Sequence, residues 1–341
     1  MEKYSLSVLI GRFQPLHNSH LDLVQTALLK SDKVLVFIGS SNTPRTYKNP
    51  FSFQERANMI HYALPISDRK RVTYIPLEDT MYNDQAWVSK IQQEVAKLCD
   101  DDTKISLVGH IKDESSYYIK MFPQWKFIDA GYKDILHATE IRDMYFKNDF
   151  NINYLVGVIP NNVQVFLEEF RKLEAFKEII EERMFMDNYR KQFDNYPYPP
   201  IFVTVDAVVI QSGHVLLIKR KAYPGKGLLA LPGGFLNAKT DKSIESAMIR
   251  ELVEETGIKL PEKVLLGNIK NKRVFDAIDR SSRGRTITHA YKISLLEGEW
   301  NLPKIKGGDD AESAEWKPIG TLKREDFFED HYDILLWALG K

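Results

Sequence analysis

The sequence predicts an α/β protein of two domains: a parallel sheet flanked by helices, followed by an α/β/α sandwich built on a mixed sheet. Three observations carry this expectation. The chain has 341 residues, which at roughly 150 residues per domain leaves room for two cores. Strand-like and helix-like runs alternate through the early chain, the mark of βαβ units and a parallel sheet. Later the pattern turns β-rich, and the change comes at a stretch of prolines and tyrosines.

Element by element, residues 5–10, 33–39, 72–76, 105–109 and 126–129 read as strands, and 20–29, 53–64 and 86–98 as helices. From 161 to about 193, Val163, Phe166, Phe170, Leu173, Phe176, Ile180 and Met184 recur three or four apart. This spacing marks one or two amphipathic helices. Acids and bases alternate between them, so the stretch reads as a packing element rather than a basic membrane-surface helix. NYPYPP at 195–200 ends the helix, because proline lacks the amide donor and disfavours helical geometry before it. The expected domains are therefore 1–185 and 201–341, with a linker at 186–200. In the second, 201–210, 214–220, 264–269 and 286–295 read as strands, and 243–256 and 324–339 as helices.

Composition narrows the function. Lys and Arg number 47 and Asp and Glu 47, a formal net charge of zero. A surface made to neutralise nucleic acid or an anionic membrane would be basic. Any phosphate chemistry is then local. No run approaches the roughly 18 apolar residues of a membrane span. The opening MEKYSLSVLIGRF lacks the apolar core of a signal peptide, and the single cysteine, Cys99, suits a reducing compartment, so the expected location is the cytoplasm.

Two constellations carry chemistry. The first is GRFQPLHNSH at 11–20, where His17 and His20 stand at the start of a helix after a strand. Unpaired amides and the positive end of the helix dipole favour phosphate there, and residues three apart project to one side. Two histidines at this spacing arise by chance about 0.2 times in such a chain; adding Gly11, Phe13 and Pro15 lowers that to about 2 × 10⁻⁵. The second is LPGGFLNAKTDKSIESAMIRELVEETGI, which puts Glu251, Glu254 and Glu255 along one helix face. Like charges so close repel by a few tenths of a kcal/mol per pair. A divalent cation reverses that cost, and oxygen-only ligands suit Mg²⁺, with Mn²⁺ as the alternative.

GRFQPLHNSH resembles the signature loop of the nucleotidyltransferase superfamily, G-x-F-x-P-x-H-x-G-H, with Ser19 in place of a glycine. HATEIRDMYF adds Thr139 and Arg142, similar to that family's hydroxyl-x-x-Arg motif. SSNTPRTYKNPFSFQER and LVGHIKDESSYYIKMFPQW resemble the archaeal type of nicotinamide mononucleotide (NMN) adenylyltransferase. The resemblance implies a Rossmann-like fold and an ATP- and NMN-binding set of Gly11, Arg12, Phe13, Arg45, Arg56, Gly109, Asp113, Trp125 and Thr139, with His17, His20 and Arg142 acting on the triphosphate. Taken singly, Arg56 reads more often as a solvated helix charge and Trp125 more often as core.

Arg250, Glu251, Leu252, Glu254, Glu255, Gly257 and Ile258 match the core of the Nudix box. The resemblance implies a metal held by Gly233, Glu251, Glu254 and Glu255, with Glu255 catalytic. The box departs upstream: Gly234 is followed by seven residues and Lys242 where the family has a shorter loop and a glutamate, with Asp241 alongside. Arg283 and Arg285 in RSSRGRTITHAY, with Arg220 and the neighbouring Arg280, offer guanidiniums to a diphosphate. GGDDAESAEWKPI resembles the ADP-ribose-cleaving branch and implies an assisting acid at Glu312.

The order of the halves resembles the bifunctional NMN adenylyltransferase/Nudix hydrolase family over nearly the whole chain. The implied partners are ATP, NMN or NAD⁺, and ADP-ribose, with no nucleic acid or membrane and with oligomeric state left open. Two alternatives stand beside this: the same folds with other nucleotide substrates, or a second half that senses ADP-ribose without cleaving it.

Overall fold

The computed structural model describes residues 3–100, 102–111, 114–131, 136–295, 301–307 and 311–341. It divides into two compact units, Met1–Ile180 and Glu181–Lys341.

In the first unit the chain runs β1 (Tyr4–Gly11), α1 (Asn18–Lys30), β2 (Ser31–Ile38), α2 (Phe53–Ala63), α3 (Ile66–Arg69), β3 (Val72–Pro76), α4 (Asp84–Ala96), β4 (Ile105–Gly109), β5 (Lys126–Asp129), α5 (Ala138–Tyr145) and α6 (Asn161–Phe170), and α7 (Glu174–Lys191) begins there. The five strands form a parallel sheet in the order β3-β2-β1-β4-β5. Alternate residues of β1 and β2 feed two cores, one on each face. Leu9, Val34, Val36 and Ile38 pack on one side, and Leu6, Val8, Leu35 and Phe37 on the other. That accounts for the nearly continuous apolar runs, since a strand covered on both faces needs no polar side. Ser52 starts α2 with a capping box shared with Glu55, satisfying two amides that the first helical turn leaves open.

The second unit takes in the rest of α7, then β6 (Phe202–Gln211), β7 (His214–Arg220), β8 (Leu229–Ala230), β9 (Gly233–Phe235), α8 (Ile244–Thr256), α9 (Glu262–Gly267), β10 (Ile269–Phe275), β11 (Thr286–Ser294), β12 (Ala311–Pro318) and α10 (His331–Ala338). Its mixed sheet runs β10-β11-β6-β7-β12, with β8 on β7 and β9 on β6. β6 and β11 are parallel and the other pairs antiparallel. α8 packs Ala247, Met248 and Leu252 against Val205, Ala207 and Val209 of β6.

Three expectations need correction, and one strand, β12, lies outside them. Residues 264–269 are not a strand: Pro261 and Glu262 open the helix α9, whose Leu265 is buried, and the strand follows it. The expected helix 324–339 is broken. Arg324 pairs bidentately with Asp333, Phe327 is extended and bridges Leu229, and Phe328 N–H donates to Leu229 O, so Phe327 and Phe328 are both buried outside any helix. β12, rich in charge, is a strand because it pairs with β7. The stretch 186–191, expected as linker, continues α7, and from Glu181 onward that helix is part of the second unit: Tyr223 Oη donates to Glu181, Gly225 N–H to Glu182, and Arg190 to Ser282 O.

Candidate functional sites

The first site forms where β1 ends. Gly11 is required there, because a Cβ would stand 2.8 Å from the Phe13 ring that folds back over it. Phe13 itself takes a positive φ of 51°. This turn delivers His17 to the N-cap of α1 and His20 to its first turn. Their rings stack at 3.6 Å, and Phe13 meets His20 edge-on at 5.0 Å. From α5, Arg142 donates to Gln14 O at 2.7 Å and to Thr139 Oγ1 at 3.2 Å. Its Nε is buried with no hydrogen-bond partner among the described residues. Burial, and then the nearby Arg12, push the Arg142 guanidinium below its usual range.

These groups surround a cavity of about 190 Å³ lined by Arg12, Phe13, Gln14, His17, His20, His110, His137, Ala138, Thr139 and Arg142. Two guanidiniums, four imidazoles and the N-termini of two helices face one space. Such a space fits a polyphosphate.

Of the residues expected here, Arg12, Phe13, His17, His20, Thr139 and Arg142 line the cavity, Gly11 lies under it, and Gly109 ends β4 beside His110. Three do something else. Arg56 is buried at 1% exposure, and its guanidinium donates to the carbonyls of Ser52, Arg12, Gly39 and Ser40 and to Ser41 Oγ. All five of its N–H groups are thereby committed to the loops that frame the site. Arg45 forms a fork with Glu55 at 2.7 and 2.9 Å and lies over the Phe170 ring. Trp125 stacks on Phe122 at 4.6 Å inside the core, as its apolar body favours. Asp113 lies outside the described residues. His110 and His137 were missed, although both stand within the motifs quoted for other residues. Four of the chain's 8 histidines line one cavity, and that clustering was the available signal.

The second site is organised by Arg250 of α8. Its Nε and Nη2 grip Asp241 at 2.9 and 2.8 Å, and its Nη1 bonds Glu251 at 2.8 Å and Glu254 at 2.9 Å. The Asp241 carboxyl, held by Arg250, is lowered to about 2. Asp241 thus braces the arginine from the long loop that carries Lys242. Glu255, at 9% exposure, accepts from Gly233 N–H at 2.8 Å. Burial pushes its carboxyl up to about 8, and Glu251 beside it adds to the rise. Burial likewise raises Glu251. A Cβ at Gly234 would come within 2.7 Å of the Glu251 carboxyl, so any side chain there would displace that acid.

These residues fit a hard cation. Among the described residues no three His, Cys, Asp or Glu side chains converge as a ready-made metal site, so carbonyl and water oxygens must complete the shell, as Mg²⁺ commonly arranges. Glu251 and Glu255 are the two desolvated acids whose repulsion a cation relieves, and the glycine turn lets backbone approach them. Glu254 is turned to solvent, 58% exposed, on Arg250.

Beneath the turn, Asp206 of β6 is buried and accepts from Thr288 Oγ1 at 2.5 Å. An acid inside the apolar run TVDAVVI was its sequence signal. Arg220 and Arg283 converge on Phe328, at 4.1 and 5.9 Å, and Arg283 also covers Phe235 at 4.9 Å. Arg283 Nε is buried with no partner among the described residues. Arg285 instead donates to Asp276 O across its hairpin, and Arg280 forms a buried fork with Asp330. Glu312 is exposed on β12, 3.1 Å from Lys219 Nζ.

Comparison with known proteins divides the chain in the same way. A cytidylyltransferase-like family model matches residues 8–144 and a NUDIX domain model residues 200–338. The nicotinamide/nicotinic acid mononucleotide adenylyltransferase of Acinetobacter baylyi is 36% identical over 180 residues, 52% of this chain and 93% of its own. The ADP-ribose pyrophosphatase of Methanocaldococcus jannaschii is 37% identical over 145 residues, 42% of this chain and 76% of its own. The crystal structure of a bifunctional NMN adenylyltransferase/ADP ribose pyrophosphatase from Francisella tularensis is 38% identical, covers 99% of both chains and superposes with a TM-score of 0.91. The Francisella protein is also solved with AMP and manganese, at 37% identity and a TM-score of 0.90. On the match to the whole Francisella chain, and on the two family domains in this order, the chain belongs to the bifunctional NMN adenylyltransferase/Nudix hydrolase family.

Proposed function

We propose that the chain makes NAD⁺ and pyrophosphate from NMN and ATP in its first unit, and cleaves ADP-ribose to AMP and ribose 5-phosphate in its second. One observation carries the transferase reading: His17, His20, Arg12 and Arg142 share a single cavity with two helix N-termini. In the transfer, a phosphate oxygen of NMN bonds to the α-phosphorus of ATP. The bond from that phosphorus to the bridging oxygen breaks, and its electron pair leaves on pyrophosphate. No protein nucleophile is needed. The imidazoles and Arg142 hold the triphosphate and stabilise charge gathering on the leaving group.

For the hydrolase, the buried Glu255 and the half-buried Glu251 under the Gly233–Gly234 turn carry the reading. We assign the metal as Mg²⁺, held by Glu251, Glu255 and a carbonyl of that turn. When bound, the cation supplies Lewis-acid polarisation and an activated water. Arg250 fixes Glu251 from Asp241, so the loop with Lys242 keeps the box braced. Arg220 and Arg283 face the diphosphate, while Glu255 orients the reacting end.

Two variants of the full chain test this. His20→Ala should cut turnover to NAD⁺ by about 10²–10³; near-normal kcat would remove His20 from the reaction. Glu255→Gln should abolish Mg²⁺-dependent AMP release yet keep ADP-ribose binding. Tight ADP-ribose binding by the unmodified chain, with no AMP formed in Mg²⁺ or Mn²⁺, would favour the sensor over the hydrolase.

A further inference from the structure

Four consecutive residues of the second unit have no part in the chemistry described above, yet each ties down a piece of the hydrolase site. They are Phe328, Glu329, Asp330 and His331, where the chain beyond Arg324 turns into α10. The Phe328 N–H donates to Leu229 O, and its ring lies against the Arg220 and Arg283 guanidiniums. Glu329 takes a positive φ of 46°, a conformation that a residue other than glycine keeps only when its surroundings hold it. Its Oε1 accepts from Ser282 N–H at 2.8 Å and from the Ser281 and Ser282 hydroxyls at 3.1 Å each. Ser281 Oγ in turn accepts from Arg283 N–H at 3.3 Å. Asp330 forms the buried fork with Arg280. His331 is buried, and its Nδ1 accepts from Leu231 N–H at 2.9 Å.

The two ends of this segment reach different parts of the site. Residues 281–283 carry Arg283 to the diphosphate. Leu231 leads into the glycine turn, where Pro232 O accepts from Ala207 N–H and Gly233 N–H donates to Glu255. That turn has little slack. Gly233 pairs with Asp206 of β6, and a Cβ on it would stand 2.1 Å from Val205 O. A shift at Leu231 therefore reaches Glu255 through two residues of backbone, together with the carbonyl that the turn offers to a cation. Hydrogen bonds one step removed from a ligand orient it and set metal affinity.

We propose that the segment 328–331 is a bracket with two separable duties. Glu329 positions Arg283 for the diphosphate of ADP-ribose, and His331 positions the glycine turn and Glu255 for the cation. Both act through other residues and are positioning residues. Asp330, locked to Arg280, keeps the two in register. This rests on the hydrolase reading and assigns to it two residues outside the Nudix box.

Two pairs of variants of the full chain test the bracket. Leucine removes the acceptor at either position, whereas the amide oxygen of glutamine can accept from the same donors. Calorimetry without metal reads ADP-ribose binding, and paramagnetic resonance without nucleotide reads Mn²⁺ binding. Glu329→Leu should weaken ADP-ribose binding by about 10-fold or more, as for one misplaced hydrogen bond to a charged group, and leave Mn²⁺ binding within about twofold. His331→Leu should weaken Mn²⁺ binding by about 10- to 100-fold and leave ADP-ribose binding within about twofold. In turnover with Mg²⁺ the first should show as a raised KM and the second as a lowered kcat. Glu329→Gln and His331→Gln should each recover most of the loss. Thermal melting identifies any variant that has lost its fold, and Glu329→Ala or His331→Ala then takes the place of the leucine variant. Equal losses of both ligands, unchanged binding in both folded leucine variants, or glutamine variants no better than leucine overturn the bracket and leave the hydrolase reading in place. An unmodified chain that binds neither ADP-ribose nor Mn²⁺ overturns both.

Discussion

Replacing Arg56 by methionine separates a ligand from a strut. The side chain is 1% exposed, and burial pushes its guanidinium down to about 10, so it is held at a cost by what it bonds. Its two shortest bonds, to Arg12 O at 2.7 Å and Gly39 O at 2.6 Å, tie the ends of the loops after β1 and β2. Methionine fills much of the volume and supplies no donor. Each charge-assisted bond is worth about 1.5–3 kcal/mol, and removing a buried charge returns part of that, leaving a net loss of about 2–4 kcal/mol. For a unit of this size the transition should fall by about 5–15 °C. Differential scanning calorimetry of the full chain reads it, with the hydrolase unit as internal reference. The ATP site should loosen only as the loops do, so kcat and KM should recover on cooling the variant well below its transition. An unchanged melting temperature together with a large rise in KM for ATP would refute the strut and restore Arg56 as a phosphate ligand.

Two further outcomes follow from the second unit. Burial keeps His331 neutral, lowered to about 3, and its Nδ1 accepts from Leu231 N–H. The unfolded imidazole titrates near 6.5, so between those values the unfolded state binds the extra proton and stability falls as pH falls. The loss from pH 6.5 to 5.5 is about 1 kcal/mol. Denaturant titrations should show it, and His331→Gln, whose amide oxygen can still accept from Leu231, should lack it; equal slopes would refute the assignment. A fragment starting at Glu181 keeps the bonds of Glu181, Glu182 and Arg190 and the Phe193–Phe202 contact. It should melt higher and cleave ADP-ribose better than one starting at Tyr196, and indistinguishable fragments would show that this part of α7 contributes nothing.

Much of the protein could be read along the chain because the relevant constraints are local. A strand that must lie between two helical layers is apolar throughout, as β1 and β2 are. A phosphate loop needs glycine and histidine at fixed steps around one turn, as at Gly11, His17 and His20. The acids of α8 lie on one face because helical geometry puts residues three and four apart together. What the tertiary structure decided is which charges meet across long separations. Arg56 and Arg142 are both expected at the nucleotide from the sequence, but only folding shows one bound to four carbonyls and the other lining a cavity with a buried Nε. Lys242 looked like a loss in the Nudix box until Asp241, brought back by a longer loop, was seen gripping Arg250. β12 has no apolar alternation of its own and exists because β7 offers it an edge. His110 and His137 lie some 90 and 120 residues from His17 in sequence, and only a parallel sheet that reverses between β1 and β4 brings them to the same phosphate cavity.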